Sequence, residues 1–160
     1  MKRFHVHAMV PDLATATEFY SHLFGQPPAK QRDDYAKWML DDPAVNFAIS
    51  SRGNAAGLGL DHLGIRVDSS EELAEIRALA DAAAAGNVFE QAETTCCYAK
   101  GEKHWTVDPA GIAWEHFHTM AEAENFGEET ELEAEACCIP LRDGEDGSCC
   151  IPNEQSSCCG

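Results

Sequence analysis

Basic residues are scarce in this chain: 11 Lys and Arg stand against 28 Asp and Glu in 160 residues, a formal charge of -17. Nucleic acid and anionic membrane surfaces would be repelled by that field, so neither is expected as a partner. Long apolar runs are missing as well. No stretch approaches the roughly 18 apolar residues that a bilayer span needs, and Met1-Lys2-Arg3-Phe4-His5 leads into an alternating segment in place of a secretory signal. A cytoplasmic protein is the expectation, and in that reducing compartment cysteines read as free thiols or metal ligands. Isolated cysteines are also missing. All eight stand in neighbouring pairs: Cys96-Cys97, Cys137-Cys138, Cys149-Cys150 and Cys158-Cys159. Neighbours close a disulfide with each other only in a strained small ring, whereas two adjacent thiolates can grip one soft atom such as trivalent arsenic, cadmium or zinc. The pairing therefore points to soft-element chemistry.

The charge is uneven along the chain. Residues 1–118 carry 17 acids and 10 bases, residues 119–160 carry 11 acids and one base. The second stretch is acidic, contains Gly, Ser, Pro and three Cys pairs, and lacks the apolar content for a core. We expect a domain over residues 1–119 and a flexible, acidic, Cys-pair-rich tail over 120–160.

Within the domain, Phe4–Val10 reads as a strand. Pro11-Asp12 opens a helix with Leu13, Ala16, Phe19, Tyr20 and Leu23 on one face, stopped by Gly25 and Pro27-Pro28. Strands over Tyr35–Leu40 and Val45–Ser50 follow. The pattern then restarts with Leu60–Val67 and a helix from Ser69 or Ser70 to about Ala85. Superposing the two segments places His5 on His62 and Val10 on Val67, with an acidic residue, Asp12 or Asp68, after each. Short strands at Val88–Glu90, Cys97–Lys100, Lys103–Val107 and Ala113–His118 complete the second half, with turns at Gly101 and at Asp108–Gly111. An α+β fold of two βαβββ modules is the simplest account.

Two such modules, with His5 opening "HVHAMVPDL", His62 opening "HLGIRV" and Glu115 in "DPAGIAWEHF", resemble the vicinal oxygen chelate superfamily of glyoxalases, bleomycin-resistance proteins and extradiol dioxygenases. The resemblance covers about residues 3–118 and implies strands curled into a half-open barrel around a metal. It implies His5, His62 and Glu115 as ligands. One histidine on an apolar strand is usually a packing residue, but two at matching places in a repeat, with a carboxylate on the closing strand, favour a ligand set. His7 competes, because residues two apart on a strand share a face; the superfamily's spacing to the acidic turn favours His5. His116 and His118 should face away from Glu115, and His22 and His104 are expected in surface or packing roles. The superfamily's fourth ligand would lie within Val45–Ser50, which offers neither acid nor histidine. Two histidines and one carboxylate with open positions form the facial set of non-haem Fe(II) oxygenases.

The stretches Thr94–Ala99, Tyr35–Leu40 and Val45–Ile49 are similar to the ArsI/CadI branch of that superfamily, which holds carbon–arsenic lyases and cadmium-induced proteins. That similarity implies Fe(II) on the triad, dioxygen as cosubstrate, and a trivalent organoarsenical held by Cys96 and Cys97 and demethylated to arsenite. Members of the branch can carry Gln at the first ligand position, where this chain has His5. Alternation along a strand would point Cys96 and Cys97 to opposite faces, so both reach one arsenic only if the backbone there is irregular; a gating loop is the expectation. The tail thiols Cys137, Cys138, Cys149, Cys150, Cys158 and Cys159 are expected to capture substrate or product. A cadmium- or zinc-binding protein without turnover and a glyoxalase-like isomerase are the other readings. Monomer and homodimer both fit, since such modules pair within or between chains.

Overall fold

Caps at both ends of the first helix and at the start of the second fix where each βα unit turns. Asp12 has extended backbone and accepts the Thr15 N–H at 2.7 Å, so α1 starts at Leu13; it ends at Phe24, where Gly25 takes φ 68° and closes the last turn on His22 and Ser21. Ser69 accepts the Glu72 N–H at 3.2 Å while Glu72 reaches back to the Asp68 N–H at 3.0 Å, which starts α2 at Ser70; it ends at Ala83. The computed structural model describes residues 2–51, 58–84, 88–96 and 99–122. Cys97 and the six tail cysteines lie outside the described residues.

Among the described residues eight strands accompany the helices. β1 (Arg3–Met9), α1, β2 (Lys30–Arg32), β3 (Tyr35–Asp41) and β4 (Ala44–Ser50) form the first module. β5 (Gly59–Val67), α2, β6 (Phe89–Cys96), β7 (Ala99–Val107) and β8 (Ala113–Glu122) form the second. The two βαβββ modules join in one mixed sheet, ordered β2-β3-β4-β1-β5-β8-β7-β6, which reads the same outward from its centre in both directions. β1 and β5 meet antiparallel at that centre, and each pairs in parallel with its own module's last strand, β4 or β8. The internal repeat expected from His5 and His62 is therefore present.

Three expectations need correction. Gly101 is not a turn: β7 runs straight through it, and a Cβ there would lie 2.2 Å from the His118 carbonyl oxygen, so glycine permits the close approach of β8 at a register shift. The two short strands expected around Gly101 are thus one. The strand β2 was missed, being three largely exposed residues with no apolar alternation. On α1, Phe19 and Leu23 are exposed, while Leu13, Ala16, Tyr20 and Phe24 pack on Ala36, Trp38, Phe47 and Ile49. At about 100° per residue, Phe19 and Leu23 sit about 120° and 80° around the helix from Leu13, off the stripe that faces the sheet.

The helices cover one face of the sheet, α1 on β3 and β4 and α2 on β5, β7 and β8. Ala8, Val10, Phe47 and Ile49 point toward α1, and Ile65 and Val67 toward α2. Strand alternation then turns His5, His7, Asn46, Ala48 and Ser50, and with them Gly64, to the other face. Among the described residues no helix is long and apolar enough to cross a membrane.

Candidate metal centre

Of the residues that meet on the helix-free face, His5 and Glu115 come from one row across the sheet, and His62 enters from the next row, opposite His7. Register pairs run Met39↔Asn46, Asn46↔His5, His5↔Gly64, Gly64↔Glu115 and Glu115↔Trp105. Gly64 supplies no side chain, and over that gap His5 and Glu115 lean toward each other from strands that flank β5. The Asp108 turn sets the phase of β8: its carboxylate accepts the Ala110 and Ile112 N–H groups and the Trp114 indole N–H, and Gly111 takes φ 78°. That clamp starts the strand where Glu115, two residues in, faces the site.

Three expected ligands converge. His5 Nε2 lies 3.1 Å from His62 Nε2, and Glu115 Oε2 lies 3.5 Å from the former and 3.4 Å from the latter. All three side chains are buried. Metal–ligand bonds of about 2.1 Å separate two ligand atoms by about 3.0 Å at a right angle and about 3.4 Å at the tetrahedral angle, so the observed spacings suit one divalent ion.

The outer hydrogen bonds set which nitrogens face inward. His5 donates from Nδ1 to the Asn46 carbonyl at 3.1 Å, and His62 donates from Nδ1 to Asp61 Oδ2 at 2.8 Å. Each ring is left with its Nε2 lone pair pointing at the other, a clash of acceptors that only a proton or a cation between them relieves. Burial and then the neighbouring His62 push the His5 pKa down to about 3. For His62 burial acts downward too, but hydrogen bonds to Asp61 and Glu115 outweigh it and raise the pKa to about 9. Burial would raise the Glu115 carboxyl; Lys103 and His62 reverse that and hold it well below the usual carboxylate range. Without metal, the cluster thus keeps a proton on His62 where a cation would otherwise bind. The donor set fits a metal.

Several participants escaped the sequence reading. Asp61 should face away from His62 in a regular strand, but β5 bulges there: His7 pairs with His62 while Ala8 pairs with Leu60, leaving Asp61 the extra residue. A bulge re-aims its side chain. Lys103 is buried and donates to Glu115 Oε1 at 3.1 Å, leaving Oε2 for the histidines. Trp105 packs edge-on against His62 and Phe117 against His5, each at 5.1 Å between ring centres.

His116 faces away from Glu115 as expected, its ring 5.0 Å from that of His104 and tilted 44° to it on the α2 side, both buried. His118 lies there too, near Ser70, and His22 sits in the last turn of α1. The fourth ligand position is held by alanine. Pairs His7↔Ala48 and Gly64↔Glu115 are equivalent in the two modules, so Ala48 stands where Glu115 stands in the second and His7 where Gly64 stands.

Cys96 does not come to this cluster through β6. It ends that strand and pairs with Ala99, six residues along β7 from Trp105, a distance of about 20 Å in extended chain. A register shift interrupts the β6–β7 ladder between Gln91 and Thr94, and another interrupts the β7–β8 ladder between Lys100 and Gly101.

A sheet of two βαβββ modules with a two-histidine, one-carboxylate cluster at its centre has the architecture of the glyoxalase fold. Residues 2–116 match the Glyoxalase/Bleomycin resistance protein/Dioxygenase superfamily, and the chain belongs to it. It is 37% identical over 165 residues to a trivalent organoarsenical cleaving enzyme of Bacillus sp. strain MD1, with 99% of each chain covered. It is 36% identical over 146 residues to the cadmium-induced protein CadI of Mycobacterium bovis, covering 86% of this chain and 93% of that one. An extradiol ring-cleaving dioxygenase from B. fuscum shares the fold at TM-score 0.54 and 17% identity, over 75% of this chain and 33% of that one.

Proposed function

We propose that this protein is a non-haem Fe(II)-dependent, dioxygenase-type carbon–arsenic lyase that demethylates trivalent methylarsenicals to arsenite, with aromatic arsenicals as a second substrate class to test. The observation that carries this reading is the cluster of His5, His62 and Glu115, whose three ligand atoms lie 3.1–3.5 Å apart while Ala48 leaves the fourth protein position empty of a donor. Three protein ligands leave positions for dioxygen and substrate, as a facial Fe(II) set requires; an isomerase with four protein ligands would need an acid at Ala48. The named arsenical-cleaving relative supplies the substrate class.

In this reading His5, His62 and Glu115 hold Fe(II), which supplies the redox chemistry. Lys103 fixes Glu115 by one oxygen, Asp61 fixes the His62 tautomer, and Trp105 and Phe117 limit water around the histidines. Cys96 and Cys97 hold the soft arsenic as thiolates, so ligand hardness keeps substrate and metal on separate sets. The β6–β7 hairpin then acts as the gate, bending at its register shift between Gln91 and Thr94 to carry arsenic toward the triad. The overall change balances with dioxygen as sole oxidant: methylarsonous acid and one O2 give arsenous acid and formaldehyde. The C–As bond breaks, the methyl carbon loses four electrons and dioxygen gains them, so no reductant is required.

The deciding experiment is anaerobic Fe(II) reconstitution followed by methylarsenite with and without oxygen, reading arsenite. Oxygen-dependent arsenite supports the lyase. Stoichiometric binding with no arsenite under oxygen supports the second reading, a thiol-based metal-binding protein, which the CadI similarity favours.

Replacing both Cys96 and Cys97 by Ser should remove arsenical binding while leaving Fe(II) content unchanged. Titration of methylarsenite against the fluorescence of Trp105 and Trp114 checks it, and unchanged affinity in the double variant sinks the anchoring role.

We also assign residues 1–122, which take in the end of β8 beyond the boundary at 119 expected from the sequence, to the catalytic domain and 123–160 to a tail whose cysteines, Cys137, Cys138, Cys149, Cys150, Cys158 and Cys159, raise the local thiol concentration for arsenical capture in the reducing cytoplasm. Ending the chain after Glu122, where β8 stops, should leave turnover at saturating methylarsenite within about twofold but lower the number of arsenic atoms bound per chain. Lost turnover, or unchanged stoichiometry measured by mass spectrometry under native conditions, counts against the assignment.

A further inference from the structure

His7 lies outside the ligand triad, yet it is buried, and both of its ring nitrogens are engaged. Nδ1 donates to Asp61 Oδ2 at 2.9 Å, the same oxygen that accepts from His62 at 2.8 Å, and Nε2 accepts from the Ser50 hydroxyl at 3.0 Å. The His7 and His62 rings are 4.9 Å apart. In the second module the equivalent place is Gly64, where the absent side chain opens room for Glu115. The internal symmetry is therefore broken as a matched pair of exchanges: histidine beside Ala48 in one module, glycine beside Glu115 in the other.

We infer that His7 is a positioning residue for the metal centre, locking Asp61 so that His62 presents Nε2 to the ion, and that its ring fills the space a fourth protein ligand would otherwise occupy. The inference rests on reading His5, His62 and Glu115 as metal ligands. Asp61 needs such a lock. It sits on a bulge, where the ladder does not fix its direction, and its carboxylate is partly open to solvent. A carboxylate held from one side only could rotate away from His62; the second donor, anchored by Ser50, restrains that rotation. His7, Asp61 and His62 also lie close enough to hold a second ion. However, one Asp61 oxygen already accepts from both Nδ1–H groups, so this trio is satisfied by hydrogen bonds alone.

Outer hydrogen-bond partners of metal-ligating histidines typically govern affinity by about 10- to 100-fold. The test is a Mn(II) titration of the full chain followed by electron paramagnetic resonance of the free ion, a hard metal that leaves the thiols alone. His7→Leu should weaken Mn(II) binding about tenfold, and His7→Gln, which keeps an N–H donor toward Asp61, should restore most of it. Asp61→Asn should weaken binding at least as much, and adding His7→Leu to Asp61→Asn should cost nothing further, because His7 acts through Asp61. If His7→Leu does not fold, His7→Gln with and without Asp61→Asn supplies the same comparison, a smaller loss that must vanish in the double variant. Unchanged affinity in His7→Leu, equal losses with and without Asp61→Asn, or two Mn(II) ions per wild-type chain would each overturn the inference. Glu115→Ala serves as the control: if it binds Mn(II) like wild type the triad reading fails, whereas loss there without loss in the His7 variants removes only the role of His7.

Discussion

Glu115→Ala should lose both bound Fe(II) and turnover, and should also be less stable than either histidine variant. The two losses have different causes. Metal retention falls because one of three ligands is gone, and the drop should exceed the roughly 10- to 100-fold that loss of an outer hydrogen bond costs. Stability falls because Lys103, buried with its ammonium 3.1 Å from Glu115 Oε1, loses that carboxylate. Removing one partner of a buried pair typically costs about 3–5 kcal/mol. Adding Lys103→Met should recover much of that stability without recovering iron, since methionine fills the volume and needs no counter-charge. His5→Ala and His62→Ala should lose iron equally but strand less, an Asn46 carbonyl in one case and one of two Asp61 hydrogen bonds in the other. Iron analysis after desalting, thermal unfolding and arsenite production separate these effects. Full iron-dependent turnover in all three alanine variants would show that the triad is wrong.

That experiment also marks how far the sequence alone reaches. The convergence of His5, His62 and Glu115 was legible because the repeat shows His5 and His62 at the same place and because the superfamily resemblance sets a carboxylate on the closing strand. Asp61 was hidden, since in an unbroken strand the residue before His62 faces the opposite side, and only the pairing with β1 reveals the bulge. Lys103 was hidden for another reason. A lysine in a polar strand reads as solvated until the register of β7 against the neighbouring β8, which sets Lys103 diagonally across from Glu115, is known. The exposed edge of α1 was misjudged because Phe19 and Leu23 are apolar, although nothing in the sheet lies beneath them. Helix limits, by contrast, were readable from Asp12, Ser69 and Gly25, where capping chemistry is local.

Gly64→Ala should be the most damaging single-methyl change in the molecule. An ideal Cβ at residue 64 would lie 1.8 Å from the Glu115 carbonyl oxygen and 2.8 Å from its carbonyl carbon. Both atoms are backbone, so no flexible side chain can move aside, and relief requires β5 and β8 to separate. These two strands are central in the sheet, and their pairing joins the β1–β5 centre to the rest of the second module. The loss should therefore exceed about 4 kcal/mol, in the range where point substitutions become exceptional. The same step would displace Glu115 along its ladder, so any protein that still folds should bind Mn(II) or Fe(II) poorly. Gly101→Ala gives the contrast. Its Cβ meets the His118 carbonyl oxygen at 2.2 Å, also backbone, but at an existing register shift and three residues further along β8. That variant should be destabilised while its folded fraction keeps near-normal metal affinity, because Glu115, His5 and His62 are not in the disturbed pairs. Chemical unfolding paired with metal titration distinguishes the two glycines. A Gly64→Ala protein of wild-type stability and metal affinity would mean that β5 and β8 do not approach as closely as this row of residues requires.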